Sequence, residues 1–363
     1  MKTLLIAGAR PNFMKIAPIY RESVRHPEVD CRIVHTGQHY DHEMSQAFFD
    51  DLGIPAPHVQ LNAGSGSHAE QTARIMVGFE TVCIDEKPDL VMVVGDVNST
   101  LACSIVAKKL NIRVAHVEAG LRSFDLSMPE EINRMVTDSI TDHFFVTEQS
   151  AVENLEREGK PRDRIHFVGH VMIDNLFHQL EKLGNGHSLP FPHAHLKNDL
   201  GEYIFLTLHR PSNVDRRETL QEIAGALNEI AGELPIVFPV HPRTRKMLDA
   251  HGVILSPRIV LLPPLPFNES LFLWKDAVMV MTDSGGLQEE TTALGVRCIT
   301  IRENTERPIT VDMGTNILAG TRRDAIIEAF KDSLSRRGGR QQTPPLWDGK
   351  ASQRIWRALL DHA

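Results

Sequence analysis

Short apolar runs alternate with amphipathic stretches along nearly the whole chain. The first series has strand-like runs at 4–7, 32–35, 90–94, 113–117, 143–146 and 165–168, separated by helical patterns such as 69–85, 100–110 and 130–141. Runs that are apolar throughout and rich in β-branched residues are typical of parallel strands that helices cover on both faces. The pattern therefore predicts an α/β fold with a doubly wound parallel sheet.

The same alternation restarts after a polar stretch at 184–198. The second series has strand-like runs at 203–208, 236–240, 259–262, 278–281 and 298–301, with helical patterns between them at 218–232, 244–250, 270–275 and 287–294 and a last one at 323–335. We therefore predict an N-terminal domain over residues 1–180 and a C-terminal domain over residues 199–340. A final amphipathic helix within residues 350–363 is expected to join the first domain.

Composition narrows the class of protein. A length of 363 residues suits two domains, and 42% apolar with 24% charged residues is typical of a soluble globular protein. The net charge of −8 argues against a nucleic-acid partner, and the apolar runs are too short to span a bilayer. Four scattered cysteines in mostly apolar surroundings predict reduced thiols and therefore a cytoplasmic protein.

The turn at 282–286 is the most informative local motif. It follows an apolar run and precedes a helical pattern, so that Ser284, Gly285 and Gly286 fall at a helix N-terminus. Free backbone N–H groups there attract an anion such as phosphate, and glycine lets the backbone approach it closely. Glu289 and Glu290, one turn further on, suit hydrogen bonds from sugar hydroxyls. A capped structural turn is the alternative interpretation.

Ligands of parallel α/β sheets bind beyond the carboxyl ends of the strands. Those ends, or the segments just after them, carry charged and imidazole side chains, namely Arg10, Lys15, Asp96, Glu118, His209, Arg210 and His241. Glu131 lies at the start of the helical pattern 130–141, and Arg307 lies near a later turn. Carboxylates beside imidazoles suit proton transfer, and the cations suit an anionic leaving group. We therefore expect a functional cleft between the two domains.

Structural alternatives stand beside several of these residues. Asp96 could cap the helix that begins near Asn98, and Glu131 could simply interact favourably with the dipole of its own helix. His209 could be a buried histidine that is hydrogen-bonded to the backbone. The histidines and the glutamate at 35–43 fall on a predicted strand, turn and helix, where their side chains would point in different directions. They therefore do not predict a metal site. The motifs of dinucleotide-binding loops, phosphate-binding P-loops and hydrolase nucleophile elbows do not occur.

A set of segments spread over residues 4–320 resembles the non-hydrolysing UDP-N-acetylglucosamine 2-epimerases. The segments that carry the resemblance are 8–12, 36–39, 95–96, 116–122, 129–134, 208–210, 240–242, 282–290 and 305–308. The resemblance implies the GT-B architecture, with two Rossmann-like domains and a UDP-sugar in the cleft between them. It also implies a cytoplasmic homodimer that interconverts UDP-GlcNAc and UDP-ManNAc without a cofactor or a metal.

The family mechanism is elimination of UDP to a 2-acetamidoglucal followed by re-addition. Carried over by motif, the catalytic residues are Asp96, Glu118, Glu131 and His209. The implied substrate-binding residues are Arg10, Lys15, Arg210, Asn213, His241, Phe267, Ser284, Gly285, Gly286, Glu290 and Arg307. Which carboxylate removes the proton from C2 stays open.

Two segments, 64–71 and 209–215, depart from the pattern of many bacterial members. The first departure leaves open the activation by a second substrate molecule that those members show. Relatives acting on UDP-2,3-diacetamido-glucuronate, hydrolysing epimerases that release the free sugar, and GT-B glycosyltransferases or binding proteins are the alternative functions.

Overall fold

The computed structural model describes residues 1–37, 46–184, 191–335 and 342–361. His39, His42 and Glu43, which were weighed above for a metal site, lie outside the described residues, as does the side chain of Arg10. The chain divides into two compact units. Unit 1 comprises Met1–His178 and Pro345–Ala363, and unit 2 comprises Gln179–Pro344. Among the described helices, none is both long enough and apolar enough to cross a membrane.

Unit 1 is built on a seven-stranded parallel sheet with the strand order β3-β2-β1-β4-β5-β6-β7. Its strands are β1 Lys2–Ala7, β2 Asp30–His35, β3 Val59–Gln60, β4 Leu90–Val94, β5 Arg113–Val117, β6 His143–Val146 and β7 Ile165–Phe167. Successive side chains of a strand point to opposite faces, so Leu5 and Met92 enter one core while Leu4 and Val91 enter the other. The sheet is therefore buried on both faces, as its apolar strands predict.

Helices cover both faces of this sheet. They are α1 Arg10–Ser23, α2 Gln46–Leu52, α3 His68–Glu86, α4 Asn98–Lys109, α5 Pro129–Ile140, α6 Gln149–Arg157 and α7 Val171–Gly184, with a short 3-10 helix at Arg162–Arg164. The last helix of the chain, α16 Ala351–Asp361, packs on α1 in the same unit. Trp356 of α16 is fully buried and donates its indole N–H to the carbonyl of Ile19 at 2.8 Å.

Unit 2 contains a six-stranded parallel sheet with the order β10-β9-β8-β11-β12-β13. Its strands are β8 Ile204–Thr207, β9 Ile236–Pro239, β10 Ile259–Leu262, β11 Met279–Thr282, β12 Cys298–Thr300 and β13 Asn316–Leu318. Its helices are α8 Leu196–Leu200, α9 Pro211–Val214, α10 Arg217–Glu233, α11 Pro242–Ala250, α12 Phe267–Trp274, α13 Gly285–Leu294, α14 Pro308–Asp312 and α15 Arg323–Ser335. One core, which includes Ile204, Phe238 and Met281, lies under α10 and α15.

Both sheets follow the Rossmann strand order, in which the first strand of the unit lies at the centre and the order reverses beside it. The reversal falls between β1 and β4 in unit 1 and between β8 and β11 in unit 2. Ligands of such sheets bind at this switch point, beyond the carboxyl ends of the strands. The α/β fold with two Rossmann-like units is therefore confirmed. In each unit the carboxyl edge of the sheet at the switch point is the candidate ligand site.

Candidate active site

An open pocket of about 230 Å³ lies at the carboxyl edge of the unit 2 sheet. Its lining comes from the last residues of β8 and β9 and from the segments that follow β8, β9, β10 and β11, and consists of Thr207, Leu208, His209, Pro239, His241, Pro264, Leu265, Ser270, Ser284 and Leu287. Three predicted site residues, His209, His241 and Ser284, therefore share one cavity. Its apolar wall and few polar groups are typical of small-molecule sites.

The turn after β11 leaves the start of α13 open to a ligand. Ser284 is the N-cap residue of this helix, yet its side chain makes no capping hydrogen bond. A Cβ built on Gly285 or Gly286 would meet no atom within 4 Å, so space is free in front of both residues. The uncapped N–H groups and the positive end of the helix dipole favour an anion there.

Asp283 holds the loop that follows β8. Its carboxylate is fully buried and accepts hydrogen bonds from the backbone N–H of His209 at 2.9 Å and of Arg210 at 2.8 Å. Asn213, predicted as a substrate-binding residue, is also buried and donates to Asp283 at 3.3 Å and to the carbonyl of Ile301 at 2.8 Å. In the structure, the side chain of Asn213 therefore helps to hold the loop that follows β8.

Two adjacent glutamates of α13 behave differently. Glu289 forms an ion pair with Arg307 at 2.5 Å. Glu290 is buried, and burial, reinforced by the negative charge of Glu289, raises its pKa to about 8. A buried carboxyl group of this kind favours a ligand that brings hydrogen-bond donors, such as ribose hydroxyls. Phe267 and Arg210 are half-buried and lie outside the residues that line the pocket.

In unit 1, Lys15 and Glu118 meet at the switch point. The ammonium group of Lys15 contacts Oε2 of Glu118, and the Glu118 side chain is 8% exposed. Glu118 has a φ of 70°, which is uncommon for a residue with a side chain and is typical of strained functional positions. Gly95, at φ 68°, passes so close that a Cβ there would lie 3.2 Å from the Lys15 nitrogen. Arg10 is the first residue of α1, just ahead of this pair.

Arg134 bridges the other two predicted acids. Its guanidinium lies 2.6 Å from Oδ2 of Asp96 and 2.8 Å from Oε2 of Glu131. The Asp96 side chain is 33% exposed, whereas Glu131 is buried. Asp96 does not cap the following helix, because the N-cap position belongs to Val97, which makes no side-chain cap. The carboxylate of Asp96 is therefore directed to Arg134 and remains partly accessible.

Both carboxylate oxygens of Glu131 are engaged with the protein. They accept hydrogen bonds from the backbone N–H groups of Ser123 and Phe124, each at 3.0 Å, and from Arg134. Burial opposes ionisation, but the hydrogen bonds from Ser123, Arg134 and Phe124 outweigh it, so the pKa of Glu131 is lowered. Glu131 thus anchors the loop 121–128 and orients the arginine that contacts Asp96.

A buried histidine–aspartate pair ties these strand ends together. Nδ1 of His116 lies 2.6 Å from Asp138, and its Nε2 lies 2.9 Å from the carbonyl oxygen of Gly95, the residue before Asp96. The second oxygen of Asp138 accepts from the N–H of Gly120 at 3.0 Å and from Arg122 at 2.8 Å. The network therefore fixes the backbone beside Asp96 and beside Glu118.

The profile of the family described as UDP-N-acetylglucosamine 2-epimerase matches residues 21–360 of this chain. The chain belongs to this family.

Relatives of known name support the assignment over the full length. The UDP-N-acetylglucosamine 2-epimerase of Methanocaldococcus jannaschii is 42% identical, with 99% of each chain covered. The UDP-2,3-diacetamido-2,3-dideoxy-D-glucuronate 2-epimerase of Pseudomonas aeruginosa is 40% identical, with 93% of each covered. A crystal structure of the M. jannaschii UDP-GlcNAc 2-epimerase in complex with UDP-GlcNAc and UDP superposes with a TM-score of 0.83, at 41% identity and with both chains fully covered.

In this member of the epimerase family, the predicted residues form three groups. Lys15 and Glu118 form one pair of unit 1, Asp96 and Glu131 share Arg134, and His209, His241 and Ser284 line the pocket of unit 2. Sequence reasoning missed three residues that hold these groups in place, namely Arg134, Asp138 and Asp283. Arg134 and Asp283 lie in the motif segments 129–134 and 282–290, and Asp138 lies in the helical pattern 130–141, but their sequence context indicates no partner. Among the described residues, no cluster of three or more His, Cys, Asp or Glu could hold a metal ion.

Proposed function

We propose that this chain interconverts UDP-GlcNAc and UDP-ManNAc. The observation that carries the proposal is that the switch points of the two sheets bear complementary chemistry. Unit 2 offers an uncapped helix N-terminus to an anion beside a pocket lined by two imidazoles, and unit 1 offers three carboxylates, each in contact with a cation. A module that only bound a nucleotide would not require the acids of unit 1.

The proposed reaction is an elimination followed by an addition. A base of unit 1 takes the proton from C2, a C1–C2 double bond forms, and the C1–O bond breaks with its electron pair passing to UDP. UDP then adds back to C1 while a proton is delivered to the opposite face of C2. Asp96 and Glu118 are our candidates for these proton transfers, because each is held by a cation and lies at the switch point.

Unit 2 is proposed to retain UDP while the glycal exists. Backbone N–H groups of Gly285 and Gly286 would stabilise the charge that develops on the departing phosphate oxygen, and Glu290 would accept from the ribose. Arg307 pairs with Glu289 but is 34% exposed at its side chain, so its guanidinium group is accessible to a phosphate of UDP. Retention of UDP is what distinguishes this epimerase from a hydrolase.

A second candidate substrate is UDP-2,3-diacetamido-2,3-dideoxy-D-glucuronate. The P. aeruginosa enzyme with this name is nearly as similar to the chain as the M. jannaschii enzyme. The same acid–base residues would serve either sugar, since both reactions invert C2. The choice would then depend on the groups that meet C3 and C6 of the sugar.

Proton NMR in deuterium oxide tests the proposal. With UDP-GlcNAc the protein should incorporate deuterium at C2 and accumulate UDP-ManNAc. Release of free ManNAc and UDP would instead identify a hydrolase. Exchange only with the diacetamido-glucuronate substrate would select the second candidate, and no exchange with either would overturn the proposal.

Two variants separate the proposed roles. Asp96→Asn should abolish C2 exchange while changing the Kd for UDP by less than about threefold, because Asp96 belongs to unit 1. Ser284→Ala should chiefly weaken UDP binding, measured by calorimetry. The reverse pattern would refute this division of roles.

We further propose a cytoplasmic homodimer. Helix α5 supports the dimer, because Ile132, Met135 and Val136 are exposed on it while polar residues occupy its buried face. The four cysteines are free and buried, which suits a reducing compartment. Light scattering after size-exclusion chromatography should give twice the chain mass, and Met135→Glu should shift it toward the monomer. A wild-type monomer would refute the proposal.

A further inference from the structure

Two histidine rings lie side by side in the pocket of unit 2. The ring centroids of His209 and His241 are 5.9 Å apart, and the ring planes are inclined by 42°. In each ring Nδ1 contacts the protein, whereas Nε2 has no partner among the residues that the structure describes. A neutral imidazole carries one N–H, so the partner of Nδ1 decides whether Nε2 offers a hydrogen or a lone pair.

At His209 the partner of Nδ1 is a carboxylate. Nδ1 lies 2.9 Å from Oδ1 of Asp283, whose side chain is fully buried. At that distance the negative Oδ1 repels a lone pair on Nδ1 and attracts an N–H, so the hydrogen of the neutral ring belongs on Nδ1. Asp283 cannot turn away without losing its hydrogen bonds from the backbone of His209 and Arg210. Nε2 of His209 is therefore left with a lone pair.

At His241 the partner is of the opposite kind. The backbone N–H of Arg243 donates to Nδ1 of His241 at 3.2 Å. His241 is the N-cap residue of α11, so this hydrogen bond also satisfies one of the open N–H groups of that helix. Nδ1 must hold a lone pair to accept, and the hydrogen of the neutral ring is therefore on Nε2.

We propose that the pocket holds its two histidines in opposite tautomers, with Asp283 as the positioning residue of His209. His241 then presents an N–H donor, which suits an anionic phosphate oxygen. His209 presents an acceptor, which suits a hydroxyl or N–H group of the sugar. The proposal rests on the proposed function for the ligand, but the tautomers belong to the free protein, and they make the two imidazoles non-interchangeable.

The wild-type protein without ligand provides the first test. The chain is labelled with ¹⁵N-histidine, and long-range proton–nitrogen NMR spectra are recorded at a pH where both rings are neutral. His209→Gln and His241→Gln assign the signals. We expect a protonated Nδ1 in His209 and a protonated Nε2 in His241. The same tautomer in both rings would overturn the proposal, whereas failure to turn over UDP-GlcNAc would overturn only the proposed function.

A double-mutant comparison tests whether Asp283 acts through His209. Asp283→Asn should lower the rate of C2 exchange by about 100-fold or more in the wild-type background and by less than about threefold in the His209→Gln background. Equal losses in both backgrounds would reduce Asp283 to a structural role. Asp215→Asn is the matched control, because this nearby carboxylate forms an exposed ion pair with Arg243. It should leave the rate of C2 exchange unchanged in both backgrounds. If Asp283→Asn does not fold, the wild-type spectra still decide the question.

Discussion

Two buried carboxyl groups of this protein have pKa values that are shifted in opposite directions. Glu131 is buried but accepts two backbone N–H groups and an arginine, and the pKa of Glu131 is lowered. Glu290 is also buried but has Glu289 as its neighbour, and burial together with that negative charge raises its pKa to about 8. The ionised carboxylate of Glu131 stabilises the folded, ligand-free protein, whereas ionisation of Glu290 destabilises it.

Glu290→Gln should therefore stabilise the ligand-free protein in a pH-dependent way. A group whose folded pKa is raised contributes stability that is present below its unfolded pKa, near 4.5, and is lost as the pH rises through about 8. The neutral amide avoids this loss, so the Tm of the variant should exceed that of the wild type at pH 8 and match it near pH 4.5. Differential scanning calorimetry across this range checks the prediction. An equal shift at both pH values would contradict it.

Glu131→Gln should show the opposite trend. The lowered pKa of Glu131 gives stability that is present above the unfolded pKa and is lost as the pH falls through the folded value. The variant should therefore be less stable than the wild type at pH 7, and the difference should shrink toward pH 4 and below. Urea titrations at both pH values measure it. A constant difference would show that lost packing, and not charge, is responsible.

Among the elements, helix α5 shows what its sequence could and could not predict. The helical pattern 130–141 lies within one residue of the observed Pro129–Ile140. Its burial is inverted, however, because Glu131 and Asp138 face inward while Ile132 and Met135 are exposed. Hydrophobic periodicity predicts the helix, but it cannot predict which face is buried when that face is polar. Here the buried Asp138 is paired with His116 of a neighbouring strand, which the helix sequence does not reveal.

Asp138→Asn should destabilise unit 1 by about 3–5 kcal/mol, because it leaves His116 and Arg122 without their buried anion. Chemical denaturation monitored by circular dichroism measures the loss. Glu158→Gln is the matched control, since this carboxylate also pairs with Arg122 but is 37% exposed. It should cost less than about 1 kcal/mol. Similar losses in the two variants would mean that the buried pair has no special role.

Strand ends were the most predictable part of the candidate site. Motifs after β1, β4, β8 and β11 indicated Lys15, Asp96, His209 and Ser284, because parallel strands bring their carboxyl ends to one edge. Support residues were not predictable in this way. Asn213 carries a polar side chain after a strand, as a ligand contact would, yet its partners are Asp283 and Ile301. Only the fold shows which polar side chains face the ligand and which face the protein.

At the scale of the whole molecule, unit 2 is inserted between the two parts of unit 1. Helix α16 contributes Ile355 and Trp356 to the core that also contains Phe13 and Ile16. Its first residues are fixed by Asp174, which accepts from the N–H of Ala351 at 2.9 Å and of Ser352 at 2.7 Å. The C-terminal segment is thus part of the half that carries the acids.

Trp356→Ala should therefore lower the stability of unit 1 by about 3–5 kcal/mol and leave the pocket of unit 2 intact. C2 exchange should be lost at a lower temperature than in the wild type, while the Kd for UDP at low temperature stays within about twofold. Calorimetry and isotope exchange on the full chain measure the two quantities. Trp274→Ala, in the core of unit 2, should instead weaken UDP binding.

The position of α16 after unit 2 in the chain also bears on how the protein is made. A ribosome adds residues from the N-terminus, and domains generally fold as units while synthesis continues. Unit 2 ends at Pro344 and contains all of its own strands before α16 is translated. Unit 1, although its first part precedes unit 2, lacks Trp356 until all of unit 2 has been translated. The nascent chain should therefore acquire the ability to hold UDP before it acquires the ability to move a proton.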